Sequence, residues 1–454
     1  MIKWILPHFK KLSQENQKFL GLMLSIAPPV ILQEVLNASV NVADTVMIGR
    51  GMGIEEVAAV GLANQVFFLF ILMVFGVLSG SNVFNGQYFG KGDIASIHKV
   101  MGIGFVCTFA IAMLLFLPAA LIPRQVMQIF SDDPVVIQVG AGFLRIVAWS
   151  YFFVAITFTR NSAMRSMQQT KIPMLSTTFT LLLNVGLNYL AIFVFDLGLE
   201  GVAWGTLLAR GFELLFQEGL IRYYKVPIRT KFTHYFSFDQ AFVKNFFKIA
   251  IFILLNEITW ALGMTSHNVA YGIIGTHAQG AVQITMSMVM LFGVFGNSVA
   301  ISTGIIISNT LGAKSNALAI RFAHKCIWFA VVFSLIMGLG LILFRHQVIG
   351  FYQLEPEVAG AVANTMVVAG LMMVVRTVNF VCIVGILRSG GDGKWCFKME
   401  TATVYLIGLP LVFLGAIIGL PIYFVFFMVN IEEIVKMFIS LRRVLSNKWA
   451  KTIV

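Results

Sequence analysis

Apolar segments long enough to cross a lipid bilayer follow one another along almost the whole chain. About 20 apolar residues in a helix match the roughly 30 Å hydrocarbon core of a bilayer. Scanning the 454 residues at that length predicts twelve spans, near 18–48, 57–85, 101–122, 135–160, 172–195, 199–222, 245–273, 278–310, 323–344, 359–386, 396–418 and 421–441. Charged residues make up only 11% of the chain, against about 25% in soluble domains. The predicted fold class is an all-α integral membrane protein with twelve transmembrane helices.

Basic residues are concentrated in alternate gaps between the predicted spans. A formal net charge of +12 would favour a nucleic-acid partner in a soluble protein, but here the lysines and arginines lie in short loops. The N-terminal segment, every second gap after it and the C-terminal tail hold most of them, whereas the other gaps are rich in acids. By the positive-inside rule, we expect both termini to be cytoplasmic, in a bacterial inner membrane, with no nucleic-acid partner. No short apolar stretch with a small-residue cleavage site precedes the first span, so no cleaved signal peptide is expected.

The longest basic gap separates two halves that repeat one another. Glu34 and Glu257 lie 223 residues apart (257 − 34), and Arg165 and Arg388 keep the same offset. Six crossings return the chain to its starting side, so we predict parallel repeats around a central cavity. The predicted organisation is a six-helix N-terminal half at 1–224, a cytoplasmic linker at 225–242 and a six-helix C-terminal half at 243–454.

A polar stripe runs along the first predicted span. It consists of four residues spaced three, four and three apart: Glu34, Asn37, Asn41 and Asp44. That spacing places them on one helix face. A carboxylate at the bilayer centre costs roughly 2.5–3.5 kcal/mol on insertion scales, so a chain keeps it where it faces a cavity or a partner helix. We predict that Asp44 is a working carboxylate and that the other three are candidate cation or substrate ligands. For Glu34, pairing with a basic group is the alternative.

Several phrases along the chain together resemble the multidrug and toxic compound extrusion (MATE) family. They are ADTVMIGRGMG at 43–53, VAAVGLANQ at 57–65, GQYFGKGD at 86–93, MRSMQQTKIP at 164–173, LNVGLNYLAIFVF with GVAWGT at 183–206, and LRSGGDGK at 387–394. Each phrase alone is weak, but together with twelve spans and the repeat they make a specific match. The resemblance implies a secondary antiporter that expels bulky, often cationic or amphipathic compounds while Na⁺ or H⁺ enters.

The same resemblance implies a coupling-cation site in the first half, formed by Asp44, Asn184, Asn188 and Thr206. Some family members have an aspartate where this chain has Asn188, so the choice between Na⁺ and H⁺ stays open. The residues themselves fit, because Asn184 and Asn188 share a helix face and oxygen ligands suit a hard cation. A buried carboxylate can instead take up a proton. The structural alternative is that the asparagines only join helices through hydrogen bonds.

The seventh predicted span repeats the spacing of the first. Glu257 resembles a seventh-helix glutamate that one branch of the family uses for cations, and Trp260 offers a cation–π face. Together with His267 they are candidate cation or substrate ligands. A protonated or salt-bridged structural role is the alternative for Glu257. Applying the 223 offset to the first-half site gives His267, Ile407, Leu411 and Val429, which cannot rebuild an oxygen cage.

Two further expectations concern charged residues near or within spans. Arg210 lies within an apolar segment, and Glu213 one turn away is its expected partner. Glu400 is expected near Lys398 at the cytoplasmic rim.

No catalytic motif suggests an enzyme. GGDGK at 390–394 lacks the upstream glycine and the Ser/Thr of a phosphate-binding loop, and no gap is long enough for an ATPase domain. We expect no cofactor and no metal beyond a coupling Na⁺. The expected partners are a small organic substrate and the lipid bilayer, and we expect a functional monomer. The alternative function is a flippase or exporter of a lipid-linked saccharide or another amphipathic metabolite. A membrane enzyme or channel is disfavoured by the repeat.

Overall fold

The computed structural model describes residues 13–352, 354 and 356–454, and these residues contain helices and connecting turns with no β-strand. The long helices among them form twelve spans, which we number in chain order. Spans 1 to 6 are Gln14–Gly51, Ile54–Lys91, Ile94–Leu121, Pro134–Val147 with Ser150–Ser166, Lys171–Tyr189 with Leu190–Val194, and Gly198–Tyr223. Spans 7 to 12 are Gln240–Ile274, Thr276–Gly312, Asn316–Leu343, Pro356–Phe380 with Val381–Leu387 and Arg388–Gly390, Gly393–Thr403 with Val404–Gly408 and Leu409–Ile418, and Ile422–Leu445. Short helices at Pro123–Gln128, Phe232–Tyr235 and Arg345–Tyr352 lie in the connections.

Most of these spans have the length and hydropathy of membrane-crossing helices. Within the described residues, nine helices pass that test, and the two pieces of span 4, which meet at 48°, form a tenth crossing. Spans 6 and 12 complete the twelve, although charged side chains interrupt their apolar sequence. The predicted all-α membrane fold is confirmed, and every predicted span overlaps an observed one.

Sequence signals at the turns explain where several spans begin. Gly92 adopts a left-handed backbone conformation with φ of 80°, which reverses the chain after span 2. The next residue, Asp93, caps span 3, because its Oδ1 accepts a hydrogen bond from the Ser96 backbone N–H at 3.0 Å. Asp133 caps span 4 in the same way and is followed by Pro134 in the first helical position.

The contacts between helices divide the chain into two compact units. One comprises Leu32–Leu254, and the other comprises Met1–Ile31 with Leu255–Val454. Spans 1 and 7 therefore each contribute to both units. The sequence repeat, by contrast, divides the chain in the 225–242 linker, so repeat and contacts divide it at different points.

Packing and charge both explain why the start of span 1 belongs with the C-terminal spans. The ring of Phe19 packs against that of Phe322, with their centroids 5.6 Å apart, and Glu15 accepts hydrogen bonds from Arg321 at 2.8 Å and Lys325 at 2.6 Å. The remainder of span 1 belongs to the other unit, together with Asp44.

Candidate functional site

Three spans of the Leu32–Leu254 unit bring the predicted coupling residues together. Asn188 of span 5 donates from Nδ2 to Oδ1 of Asp44 on span 1 at 2.8 Å. One turn earlier on span 5, Asn184 donates from Nδ2 to the hydroxyl of Thr206 on span 6 at 3.3 Å. Asp44 is half-buried, whereas Asn184 and Asn188 are buried. The i, i+4 spacing of the asparagines therefore links spans 1, 5 and 6 through one face of span 5.

Two buried oxygens at this cluster have no hydrogen-bond partner. They are Oδ1 of Asn184 and Oδ1 of Asn188. Leaving such an acceptor unsatisfied costs about 1–3 kcal/mol. The Asn188 oxygen lies against Gly205, where an added Cβ would come within 2.5 Å of it. Glycine at this position of span 6 leaves room for the Asn188 amide, which a Cβ there would displace.

A π-helical turn follows the asparagines directly. It covers Leu190–Val194 and ends span 5. Such turns interrupt the regular α-helical ladder and occur often at functional sites. Here the wider turn begins two residues after Asn188, close to the hydrogen bond with Asp44. Neither glycine nor proline marks it in the sequence, so the periodicity of span 5 does not predict it.

A cavity of about 40 Å³ lies beside Asp44. Its polar lining residues include Asp44, Asn64, Thr206 and Arg210, and its apolar walls come from spans 1, 2, 4 and 6. Arg210 pairs with Glu213 at 3.0 Å, which confirms the predicted ion pair. The cavity is therefore a small space with apolar walls and a few polar groups, among them the Asp44 carboxylate.

The donor set around Asp44 fits a hard cation or a proton. Its atoms are a carboxylate, two amide oxygens and a hydroxyl, and alkali ions, like Ca²⁺ and Mg²⁺, favour oxygen ligands. In the described residues, no group of three or more His, Cys, Asp or Glu side chains forms a transition-metal site. The coupling role of these four residues stays a prediction, and their chemistry permits it.

Glu34, at the other end of the stripe, has its contacts outside this cluster. Glu34 accepts from Nη2 of Arg165 at 2.7 Å, and its neighbour Gln33 accepts from Nε of the same arginine at 3.1 Å. Glu34 therefore pairs with a basic group, the alternative considered from sequence. Asn37 is half-buried. The side chain of Asn41 lies outside the described part of the structure.

The other unit contains a matching arrangement around Arg388. Its Nη1 donates to Glu257 at 2.6 Å, and its Nη2 lies 3.9 Å from Glu400. Asn256 donates to Glu400 through a short hydrogen bond. Glu257 is thus a salt-bridged residue beside a second carboxylate. A salt-bridged structural role was the alternative considered from its sequence.

The expected position of Glu400 beside Lys398 is wrong. Glu400 is largely buried, with 12% of its side chain exposed, and faces Arg388, whereas Lys398 is exposed. Residues two apart on a helix do not face one another, so the burial of Glu400 turns Lys398 toward the outside.

Sequence reasoning missed one buried charge cluster altogether. Span 12 carries Glu432, Glu433 and Lys436, with the lysine Nζ 3.2 Å from Glu432 and 2.8 Å from Glu433. The carboxylate of Glu433 also accepts from Nδ2 of Asn379 at 2.7 Å. Three charges at i, i+1 and i+4 within an apolar span were the available signal. Glu432 and Glu433 lie at the centre of the predicted span 421–441, and Lys436 follows one turn later.

Comparison with known proteins identifies the family. The sequence profile of the MatE family matches residues 29–190 and 252–414, which is more than half of the chain. The chain belongs to the MatE family. It is 24% identical to the uncharacterized transporter YisQ of Bacillus subtilis, over 94% of each chain. It is 26% identical to the multidrug resistance protein MdtK of Photorhabdus laumondii, over 89% of this chain and 88% of that one. In fold it is similar to the Vibrio cholerae MATE transporter VcmN, with a TM-score of 0.86 and 17% identity over 97% of this chain and 100% of that one.

Membership makes this chain a multi-pass membrane transporter and not an enzyme. The two matched MatE stretches begin 223 residues apart (252 − 29), the offset seen in the sequence.

The structure repeats side-chain contacts at this offset. The hydrogen bond from Gln33 to Thr177 corresponds to the hydrogen bond from Asn256 to Glu400. Glu34 with Arg165 corresponds to Glu257 with Arg388. The two MatE halves therefore preserve one ion-pair arrangement, with a second carboxylate added in the C-terminal half.

A second pair of repeat positions has exchanged its charges. Arg210 and Glu213 on span 6 correspond to Glu433 and Lys436 on span 12, again 223 residues later. Both pairs are i, i+3 ion pairs, at 3.0 Å and 2.8 Å. The position of the ion pair is retained while its polarity is reversed.

Proposed function

We propose that this MatE-family chain is a secondary antiporter that exports bulky, often cationic or amphipathic small molecules while Na⁺ or H⁺ enters. We place it in a bacterial inner membrane, as a monomer with both termini cytoplasmic. Support comes from relatives named as multidrug resistance proteins and from the alternation of basic and acidic loops.

One observation carries this proposal: a carboxylate inside a membrane span, hydrogen-bonded to a buried amide, with two buried amide oxygens lacking partners nearby. A lone carboxylate in low dielectric is unfavourable, and unsatisfied acceptors add to that cost. A bound cation or proton relieves the charge, and a cation can also use the free oxygens. The cluster therefore gains stability from the ion that drives transport.

The Asn188 amide provides a simple response to ion binding. While Asp44 is anionic, it accepts from the Asn188 NH₂ group. Once a proton or Na⁺ neutralises Asp44, the amide oxygen becomes the better partner for the proton or the ion. A half-turn of the amide exchanges the two groups with little change in shape. The binding of a proton or Na⁺ at Asp44 therefore changes which group of the Asn188 amide, on span 5, faces Asp44.

The neighbouring hydrogen bond extends the response to span 6. Asn184 shares a helix face with Asn188 and holds Thr206 through its Nδ2. A shift of span 5 therefore also acts on span 6. An ion moves a conformational equilibrium only by binding one state more tightly, and a cluster spanning three helices supplies such a difference whenever those helices move.

Transport by purified protein in vesicles tests the proposal directly. Two fluorescent dyes, one cationic and one zwitterionic, are loaded separately into proteoliposomes, and efflux of each is driven separately by a Na⁺ gradient and by a pH gradient. We expect at least one gradient to accelerate efflux above that of protein-free vesicles. Equal efflux with and without both gradients would contradict antiport, and selective movement of a lipid-linked saccharide would favour a flippase.

A further inference from the structure

The C-terminal unit contains a second cavity, of about 100 Å³, that the cation site does not use. Residues of spans 7, 8, 10, 11 and 12 line it. Four of its lining residues are repeat counterparts of residues around the first cavity, each 223 positions later: Gly263 for Val40, His267 for Asp44, Val429 for Thr206 and Glu433 for Arg210. The second cavity therefore lies at the repeat position of the proposed cation site, with different side chains where that site has its proposed ligands.

The replaced ligands no longer favour a simple cation. The carboxylate of span 1 has become an imidazole, and the hydroxyl of span 6 has become a hydrocarbon side chain. The charges around the cavity are also balanced, because Glu432 and Glu433 are matched by Lys436 and Arg376. A ligand with a net charge would upset this balance, whereas a net-neutral ligand would not.

Two cavity residues have polar atoms without partners. Oε2 of Glu432 and Nε2 of His267 make no hydrogen bond, and each residue is only 4% exposed. The other oxygen of Glu432 is engaged by Lys436 at 3.2 Å. Buried polar atoms of this kind are costly unless a partner satisfies them, and Nε2 of His267 accepts when the imidazole proton is on Nδ1. A ligand ammonium group supplies several donors at once.

Arg376 supplies the opposite chemistry in the same cavity. Its Nε donates to Asn430 at 3.1 Å, and within the described residues no carboxylate lies within 4.0 Å of it. A guanidinium presents several further N–H donors in a planar fork that suits a carboxylate. The cavity thus holds acceptors for an ammonium group and a donor for a carboxylate.

The remaining wall is suited to an apolar body. Trp260, Met264 and Phe380 line the cavity, and Trp260 is 36% exposed, which places it at an accessible edge. Ligand sites combine mostly apolar walls with a few fixed polar groups in this manner.

We propose that this cavity binds the zwitterionic head group of an amphiphile. In this arrangement Glu432 and His267 accept from its ammonium, and Arg376 donates to its carboxylate. The inference deepens the proposed export function, on which it rests, by assigning a substrate class to the C-terminal half. The first half then binds the driving cation, and the second half binds net-neutral cargo.

Binding to purified full-length protein tests this assignment without requiring transport. Three ligands share one ring: phenylalanine is a zwitterion, its methyl ester is a cation and N-acetylphenylalanine is an anion. Quenching of Trp260 fluorescence reports binding, with Trp260→Phe as the blank. We expect phenylalanine to bind at least tenfold more tightly than either derivative. Equal or tighter binding of the ester, or no binding of phenylalanine, would overturn the proposal.

Variants separate the two ends of the ligand. Glu432→Gln is expected to weaken the binding of phenylalanine and of the ester at least tenfold while leaving the affinity for the N-acetyl compound unchanged. Arg376→Gln is expected to weaken the binding of phenylalanine and of the N-acetyl compound while leaving the affinity for the ester unchanged. His267→Leu breaks no ion pair, so a loss of binding in this variant is not explained by misfolding. Like Glu432→Gln, it should weaken the binding of phenylalanine and of the ester. Identical losses for all three ligands in every variant would overturn the assignment.

Two controls distinguish this inference from the proposed function. Glu218→Gln changes a partly exposed acid in the other unit and should leave all three affinities unchanged. Asp44→Asn should abolish coupled efflux without affecting phenylalanine binding. If vesicles show coupled efflux but phenylalanine does not bind, the inference alone fails. If phenylalanine binds as described but no gradient drives efflux, the proposed function alone fails.

Discussion

Gly205→Ala provides a test that leaves every proposed cation ligand in place. A Cβ at this position would lie 2.5 Å from Oδ1 of Asn188, whereas ordinary contacts begin near 3.4 Å. The amide must therefore move by about 0.9 Å (3.4 − 2.5). A displacement of that size breaks the geometry of its 2.8 Å hydrogen bond with Asp44.

The expected loss follows from the strength of that bond. A hydrogen bond to a charged group contributes about 1.5–3 kcal/mol, which corresponds to roughly a 10- to 150-fold change in an equilibrium constant. We expect Gly205→Ala to weaken cation-dependent dye efflux within this range, measured as the cation concentration that gives half-maximal rate.

Gly219→Ala is the matched control. Gly219 lies on the same span, and a Cβ there meets no atom within 4 Å. Alanine is favoured over glycine in a helix by about 0.5–1 kcal/mol, so the control should be neutral or slightly stabilising. Wild-type cation dependence in Gly205→Ala would refute the role of the Asn188 amide.

Two further predictions use the repeat. Arg388→Gln should lower the free energy of unfolding in detergent by about 3–5 kcal/mol, because it leaves two largely buried carboxylates unpaired. Arg165→Gln should cost less, since that side chain is 17% exposed and has one carboxylate partner; equal losses would contradict the difference between the halves. Asparagine at both Ile407 and Leu411 should leave cation affinity unchanged when measured by cation-dependent thermal stabilisation, because the second half lacks the carboxylate of the site. If the double variant gained additional cation-dependent stabilisation, amides alone would be enough to bind the cation in the second half.

The twelve spans were predictable because the hydropathy signal in this chain is strong. Alternating basic loops gave the same count, and spans 6 and 12 were recovered although charges interrupt them. The division of spans 1 and 7 between the two compact units was not predictable from the sequence. It depends on tertiary contacts such as Phe19 with Phe322, which leave no trace in the periodicity of span 1.

The resemblance to the MATE family named Asp44, Asn184, Asn188 and Thr206, and the structure brings these four residues together, while their coupling role stays a prediction. The spacing of Asn184 and Asn188 added only that they share a helix face. The partners of Glu34 and Glu257 were harder to predict. Each pairs with an arginine 131 residues later in the chain, and spacing along one helix says nothing about such a contact.

The charge cluster of span 12 shows where sequence reasoning stopped. Glu432, Glu433 and Lys436 lie within the predicted span 421–441, and spacing along one helix does not show which other helix covers them. Lys436 is only 1% exposed. Aligning the halves at 223 places Glu433 and Lys436 opposite the predicted Arg210–Glu213 pair, and that comparison would have shown a buried pair.

Dye efflux by the Asp44→Asn variant tests the central claim most directly. Asparagine keeps the shape of the side chain but removes the charge that attracts a cation and the carboxylate that binds a proton. In proteoliposomes with the same gradient and the same amount of folded protein, we expect efflux to fall to the rate of protein-free vesicles. Wild-type efflux by Asp44→Asn would make this carboxylate structural and would contradict the coupling role assigned to it.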